Sequence, residues 1–153
     1  MSNNMKWEPH VTVATIAEQN GRFLLVREKI HGREVYNQPA GHWEQGETLT
    51  EAAIRETLEE TGWHFEAKGI VGIYQWSVPG NPLTFFRVCY HGEATRHEPD
   101  RELDTGILAA EWLTAEELAR YPDKLRSPMV MQCIDDYLTG KRYPLELITS
   151  LDP

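Results

Sequence analysis

Basic residues are scarce in this chain of 153 residues: 15 Lys and Arg stand against 24 Asp and Glu, for a formal net charge of −9. A phosphodiester backbone is held by a basic face, so no nucleic acid polymer is expected as a partner. A small phosphate compound is compatible with such acidity where a bound cation inverts the local field. Cysteine is scarcer still. Cys89 and Cys133 form no C-x-x-C pair and have no histidine nearby in metal-ligand spacing. That excludes a disulfide scaffold, and two buried free thiols are expected. No apolar run is long enough to span a bilayer, so no membrane partner is expected. The opening M-S-N-N-M-K-W-E-P-H lacks the apolar core of a signal peptide, which makes the cytoplasm the expected location. Repeats and low-complexity segments are absent too. What is left is an ordinary globular composition, with length for one domain and a sizeable core. A single domain over residues 1–153 is expected.

Acid, by contrast, is concentrated in one stretch from Gly41 to Trp63, G-H-W-E-Q-G-E-T-L-T-E-A-A-I-R-E-T-L-E-E-T-G-W. It reads as a loop feeding a helix. Thr48 is placed as N-cap with Glu51 at the reciprocal capping-box position, and Gly62 suits the residue just past the helix end. With about 100° per residue, Glu60 lies at roughly +40° and Glu59 at roughly −60° from Glu56. The three carboxylates therefore share a face. Ile54 and Leu58 fall opposite, where a core is expected to take them. Arg55 is four residues from both Glu51 and Glu59, so it can pair along the helix. Taken alone, E-x-x-E-E also describes a solvated acidic face. Its other reading is a hard-cation site, because magnesium prefers carboxylate oxygens and fills its shell with water and phosphate oxygens.

The full spacing runs Gly41, five residues, Glu47, seven residues, Arg55-Glu56, two residues, Glu59-Glu60, one residue, Gly62. This resembles the Nudix box, G-x5-E-x7-R-E-U-x-E-E-x-G-U, with U a bulky aliphatic. Every fixed position is met. Thr57 and Trp63 depart at U positions, which concern packing rather than metal binding. The resemblance implies that Glu56, Glu59 and Glu60 hold divalent cations (Mg2+, with Mn2+ as a substitute), with the Gly41 carbonyl as a further ligand. It implies that Arg55 and Glu47 pair to fix the loop on the helix, and that one glutamate activates water; which one varies within the family.

Around the box, Val11 to Ile16 reads as a mostly buried strand, Asn20-Gly21 as a hairpin turn, and Arg22 to Arg27 as the returning strand. His31-Gly32-Arg33 reads as a loop and Tyr36 to Gln38 as a short extended piece before Pro39. Arg27 and Lys29 share one face of their strand. The family's corresponding strand often supplies a cation for substrate phosphate, and an ordinary solvent-facing pair is the other reading. Phe65 to Trp76 and Leu83 to Tyr90 flank the turn Pro79-Gly80-Asn81-Pro82. Tyr74, Trp76, Phe85 and Arg87 are candidates for a pocket that stacks a flat ring, although an aromatic strand also serves as plain core.

His91 to Gly106 is polar and reads as a long loop. In Nudix proteins a later acid often completes the metal shell, and Glu98, Glu102 and Asp104 are equal candidates. Ile107 to Leu113 is strand-like, Thr114-Ala-Glu-Glu117 a capping box, and Ser127-Pro128 the start of a helix over Met129 to Leu138. The apolar tail Tyr143 to Ile148 is expected to pack back. This order of elements gives an α+β chain, an α/β/α sandwich around a mixed sheet, as in the Nudix fold.

Outside the box, P-H-V-T-V-A at 9–14, Y-N-Q-P-A-G-H at 36–42, L-R-S-P at 125–128 and G-K-R-Y-P-L-E-L-I at 140–148 resemble the NudJ-like branch of small Nudix phosphatases. That resemblance implies release of orthophosphate from nucleoside di- and triphosphates and from hydroxymethylpyrimidine diphosphate, by a protein for which a monomer is plausible. The small-molecule phosphoanhydride is then its only expected partner. Pyrophosphohydrolysis of a nucleoside triphosphate is an alternative. So is ADP-ribose cleavage, suggested by Pro79 sixteen residues after Trp63. A non-catalytic nucleotide-binding module is a different class, disfavoured because every box acid is present.

Overall fold

In a computed structural model, which describes residues 6–152, the chain begins with β1 (His10–Gln19) and β2 (Arg22–Ile30), joined at Asn20-Gly21. The first residues of the opening stretch read above for a signal, Met1–Met5, lie outside the described residues. A second tight turn at His31-Gly32 leads into β3 (Arg33–Asn37), where a loop was expected. Both turns place two consecutive residues at positive φ, with Asn20 at 52° and His31 at 49°. Two such residues make the turn whose twist matches a two-residue hairpin. His31 was harder to read in that role than Asn20, because histidine visits this region less freely. A short β4 (Ala40–His42) then pairs antiparallel with β1 and delivers the chain to α1 (Leu49–Thr61).

Helix α1 begins as its sequence requires. The Thr48 side chain accepts from the Glu51 N–H, and the Glu51 carboxylate accepts from the Thr48 N–H. At the other end the Gly62 N–H donates to the Leu58 carbonyl. The face it buries differs from the expectation. Ala52, Ala53, Glu56, Thr57 and Thr61 are the buried residues, while Ile54 is only partly buried against the core. Small side chains let the helix lie close to the sheet, and the same stripe carries Glu56 inward. The acidic side therefore faces the protein, not the solvent.

Immediately after Gly62 the chain forms β5 (Trp63–Ser77), turns through Pro79–Pro82 and returns as β6 (Thr84–His97). The polar segment His91–His97, expected as loop, is thus strand. It pairs with the start of β5, Trp63 opposite His97 and Phe65 opposite Ala94. Only one of its residues, Ala94, is fully buried, so the segment carries little of the apolar alternation that marks a strand. β7 (Ile107–Leu113) pairs with β2, and α2 (Ala115–Ala119) and α3 (Met129–Leu138) complete the fold. Thr114 caps α2 from its side chain, but Glu117 binds Arg22 instead of closing a reciprocal box. Ser127 Oγ accepts from the Met129 N–H at the start of α3.

The described strands form a seven-stranded mixed sheet in the order β3-β2-β1-β6-β5, with β4 on β1 and β7 on β2. The β1–β6 pairing is parallel. Successive side chains of a strand point to opposite faces, and here they feed two cores. Val13, Leu24, Ile70 and Val88 go to the α1 side. Ala14, Leu25, Val71 and Cys89 go to the side of α2 and α3, with Val130, Cys133 and Ile134. This is the expected α/β/α sandwich. Both cysteines are buried and free. The tail packs back through mutual backbone hydrogen bonds between Ile70 and Tyr143. No described helix is long and apolar enough to cross a membrane.

Thr57, the departure from an aliphatic in the box, is wholly buried and hydrogen-bonded. Its hydroxyl donates to the Ala53 carbonyl and meets the Thr15 hydroxyl at 2.8 Å. Thr57→Val is expected to strand the Thr15 hydroxyl and cost about 1–2 kcal/mol, while Thr15→Val/Thr57→Val recovers most of that because both partners become apolar. Urea unfolding of the single and double variants measures this, and an equal loss in the double variant would contradict it.

Candidate active site

The α1 stripe, the β4 backbone and the loop after β6 converge on one place. Glu56, Glu60 and Asp104 each offer a carboxylate oxygen, all within 4.8 Å of one another. Gly41 lies against them: a Cβ at that position would collide with the Glu56 carboxyl. The absence of a side chain there is what lets the acid reach the strand. Glu60 accepts from the Ala40 N–H at 2.9 Å. Asp104 is carried in by its own backbone, whose N–H donates to the Glu59 carbonyl at 3.1 Å.

Of the three acids proposed to follow the box, the structure thus brings Asp104 to the site. Glu98 bonds instead to His64, and Glu102 is not among the acids gathered there. No spacing signal distinguished them, because the choice depends on how the 98–106 connection crosses the end of α1. Glu59 stands apart from the group of three, its carboxylate 3.2 Å from Arg55.

Arg55 ties the loop to the helix as the resemblance implied. Its Nε and Nη2 grip the two Glu47 oxygens at 2.9 and 2.7 Å, Nη2 also donates to the His42 carbonyl, and Nη1 reaches Glu56 at 2.7 Å. The guanidinium holds the Glu47 carboxyl below its usual range, and its own pKa is raised by Glu47 first and then Glu56. The inner acids behave oppositely. Burial pushes Glu60 up to about 9, with the charges of Glu56, Glu28 and Asp104 adding to the effect against the Ala40 hydrogen bond. Burial likewise raises Glu56, although Arg55 opposes it.

Carboxylates crowded in this way, Glu56 and Glu60 partly buried and Asp104 at the open side, suit a divalent cation. Oxygen is the donor such cations take, and a positive charge removes the repulsion and desolvation that raise these pKa values. Glu56, Glu60 and Asp104 fit that role.

Beside the acids opens a cleft of about 360 Å³. Across the sheet, the row His42, Thr12, Arg87 is set by the pairing of β4 with β1 and β1 with β6. Trp76 and Phe85 stand on the next row as a stacked pair, with rings 16° from parallel. Trp76, Phe85 and Arg87 all line the cleft, as expected. Tyr74 does not, since its hydroxyl donates to Asp136.

Arg27 and Lys29 are a correction. Neither lines the cleft. Arg27 is taken by Glu111 at 2.9 Å and Glu34 at 2.6 Å, and Lys29 is exposed. Alternation along β2 turns Glu28 to the cleft in their place, where it is buried and holds Arg126 at 2.6 Å. Arg126 is therefore the cation that the cleft presents beside the acids. It lies in the L-R-S-P stretch, which was legible as a resemblance but carried no chemical signal. Pro79 sits in the β5–β6 turn and does not line the cleft.

Similarity to known proteins agrees with this geometry. Residues 6–132 match the NUDIX domain family. Phosphatase NudJ of Shigella boydii serotype 4 (strain Sb227) is 42% identical over 142 residues, 93% of this chain and 92% of that protein. Phosphatase NudJ of Escherichia coli (strain K12) shows the same identity and coverage. Among solved structures, a NUDIX hydrolase from Nitrosomonas europaea is 44% identical, with a TM-score of 0.91 over 94% of this chain and 97% of that one. A MutT NUDIX hydrolase from Burkholderia pseudomallei, at 20% identity and a TM-score of 0.68 over 84% of this chain and 98% of that one, shares the fold.

The raised Glu60 pKa has a consequence for stability. Between its ordinary value near 4.5 and about 9, the folded protein holds a proton that the unfolded chain releases. Stability without divalent cation is therefore fullest below pH 4.5 as far as this group is concerned, and declines as pH rises toward 9. In EDTA the melting temperature is expected to fall by several degrees from pH 5.5 to 8.5. Glu60→Gln should flatten that decline and be more stable than wild type at pH 8.5. A wild-type slope unchanged by Glu60→Gln would contradict the assignment.

With its box acids gathered on one helix, joined there by the Gly41 backbone and by Asp104, and its sequence matched along most of its length, the chain belongs to the Nudix hydrolase family, whose members act on phosphoanhydrides.

Proposed function

We propose that this chain acts as one Nudix unit that hydrolyses the terminal phosphoanhydride of small diphosphate compounds and releases orthophosphate. The observation that carries this reading is the acidic group Glu56, Glu60 and Asp104 at one end of a cleft that also presents Arg126, Arg87 and a stacked aromatic pair. Acids for a cation, Arg126 for phosphate oxygens and a flat apolar wall for a ring share this cleft. The NudJ relatives carry the word phosphatase in their name, which favours orthophosphate over pyrophosphate as product. Nucleoside di- and triphosphates and hydroxymethylpyrimidine diphosphate are the proposed substrates.

Water attacks the terminal phosphorus, the bond from that phosphorus to the bridging oxygen breaks, and the bridging oxygen leaves with the monophosphate. A carboxylate of the group Glu56, Glu59 and Glu60 takes the proton of the attacking water. Glu56, Glu60, Asp104 and the Gly41 carbonyl would hold Mg2+, or Mn2+ in its place, which would supply charge neutralisation and a lowered water pKa. Glu59 is the remaining box acid, one hydrogen bond from Arg55. Arg55 and Glu47 hold the loop that carries Gly41 against α1. Arg126, fixed by Glu28, neutralises phosphate oxygens and orients the diphosphate for in-line attack.

Product identity tests the reaction. The protein with Mg2+ is incubated with GDP, GTP, hydroxymethylpyrimidine diphosphate and ADP-ribose, and orthophosphate and pyrophosphate are measured separately. Orthophosphate from the diphosphates is expected, with turnover lower by orders of magnitude in Glu60→Gln. Pyrophosphate from GTP, or AMP from ADP-ribose, overturns the reading.

Position 41 gives an independent test. Gly41→Ala displaces the Glu56 carboxyl, so it is expected to lower turnover at least tenfold and weaken the thermal stabilisation by Mg2+. Wild-type values for both would mean that Glu56 does not act at this place.

A further inference from the structure

Arg87 carries a charge that no carboxylate among the described residues compensates, although it acts on the buried Cys133 thiol and, against burial and together with Cys89, helps to lower its pKa. It is 5% exposed. Its Nη1 donates to Gln38 Oε1 at 2.8 Å, and its Nε is buried with no partner. Gln38 is buried at 1% exposure and is fixed from its other end, where Nε2 donates to the Thr15 carbonyl at 3.4 Å and to Cys89 Sγ at 3.3 Å. A neutral carboxamide thus holds the guanidinium in one orientation and leaves its charge intact. A buried cation is costly unless something pairs with it, and Arg87 lines the cleft. The neighbouring Asn37 repeats the pattern: it lines the same cleft at 7% exposure with Oδ1 unpartnered.

Position along the sheet says which part of a ligand meets Arg87. β6 is two strands from β4, so at roughly 4.8 Å per strand its backbone lies about 10 Å from that of the acidic end. A diphosphate spans less than that. Trp76 stacks on Phe85 in the next row, so Arg87 lies where a flat ring would lie. Guanidinium groups read rings through paired lone-pair acceptors, a carbonyl oxygen beside a ring nitrogen.

We propose that Gln38 is a positioning residue which holds Arg87 uncompensated, so that the ring end of the cleft selects nitrogen heterocycles with lone-pair acceptors on their edge. This rests on the cleft being the place where the substrate binds. The structure supplies a built-in means of disabling it: Gln38→Glu keeps the size of the side chain and cancels the charge of Arg87 from within.

Binding of two monophosphates, measured by calorimetry, tests this without turnover. GMP has a flat ring with an acceptor edge, and benzyl phosphate has a flat ring without one. Both carry a phosphomonoester but GMP also carries a ribose, so the change in the ratio of their affinities from wild type to variant reports on the ring end. Wild type is expected to prefer GMP. Gln38→Glu should weaken GMP by about tenfold or more and leave benzyl phosphate within about twofold. Arg87→Met should remove the preference as well, and Gln38→Glu added to Arg87→Met should change it no further. If Gln38→Glu does not fold, Arg87→Met alone decides. A wild type without preference, a preference untouched in Arg87→Met, or an equal loss for both ligands in a folded Gln38→Glu overturns the proposal. Failure of orthophosphate release with these affinities intact would count against the reaction, not against this selection.

Discussion

A single guanidinium sets the geometry on which the site depends. Arg55 joins Glu47 in the loop, the His42 carbonyl at the end of β4, and Glu56 and Glu59 on its own helix. Its bidentate grip on Glu47 fixes direction as well as distance, which a lysine would not do. The loop of residues 43–48 is tied by its backbone only at its two ends, Trp43 to Val11 and Thr48 to Ala52. The clamp adds to the β1–β4 pairing and the Ala40–Glu60 hydrogen bond, which also hold Gly41 against the acids of α1. The motif glutamate and arginine that lie eight residues apart therefore serve the acids indirectly, by keeping strand, loop and helix in one rigid corner.

That corner was the most legible part of the chain, because its signals are local. The Thr48–Glu51 box, the terminal Gly62 and the i, i+4 pairing of Arg55 with Glu59 all act within a helix turn or two. The β1–β2 hairpin was read for the same reason, from Asn20-Gly21. Readings failed where the deciding neighbour was remote. The inward face of α1 is set by the sheet, which accepts Ala53 and Thr57 more closely than Ile54 and Leu58. His91–His97 is strand because β5 pairs with it. Arg27 is withdrawn from the cleft by Glu111, a residue of β7. Alternation correctly put Arg27 and Lys29 together, but gave no means of telling which face of β2 the cleft occupies.

The cleft divides its charges by place. At one end acids are crowded without enough cations, and at the other a cation is buried without an acid. Each imbalance alone disfavours the folded state. Together they describe a protein complementary to something that carries a metal ion at one side and electron-rich atoms at the other. The two half-sites hang on different supports, α1 with the loop after β6 on one side and the β1–β6 pairing with Gln38 on the other. A substitution in one is therefore free to alter ring choice while the reaction chemistry stays in place.

The parallel pairing of β1 with β6 bears on how the protein comes into being. His10 lies opposite Phe85 and Thr12 opposite Arg87, so the middle of the sheet joins segments from far apart in the chain. Such closure is slow, since a long loop must be ordered before the contact rewards it. On a ribosome, β1, its hairpin and α1 emerge well before the partner strand. The acidic helix is then present early, but Asp104 and Arg87 have not arrived. A nascent chain thus has part of the cation site and none of the ring end, and the ability to engage a phosphorylated metabolite is withheld until the sheet has closed.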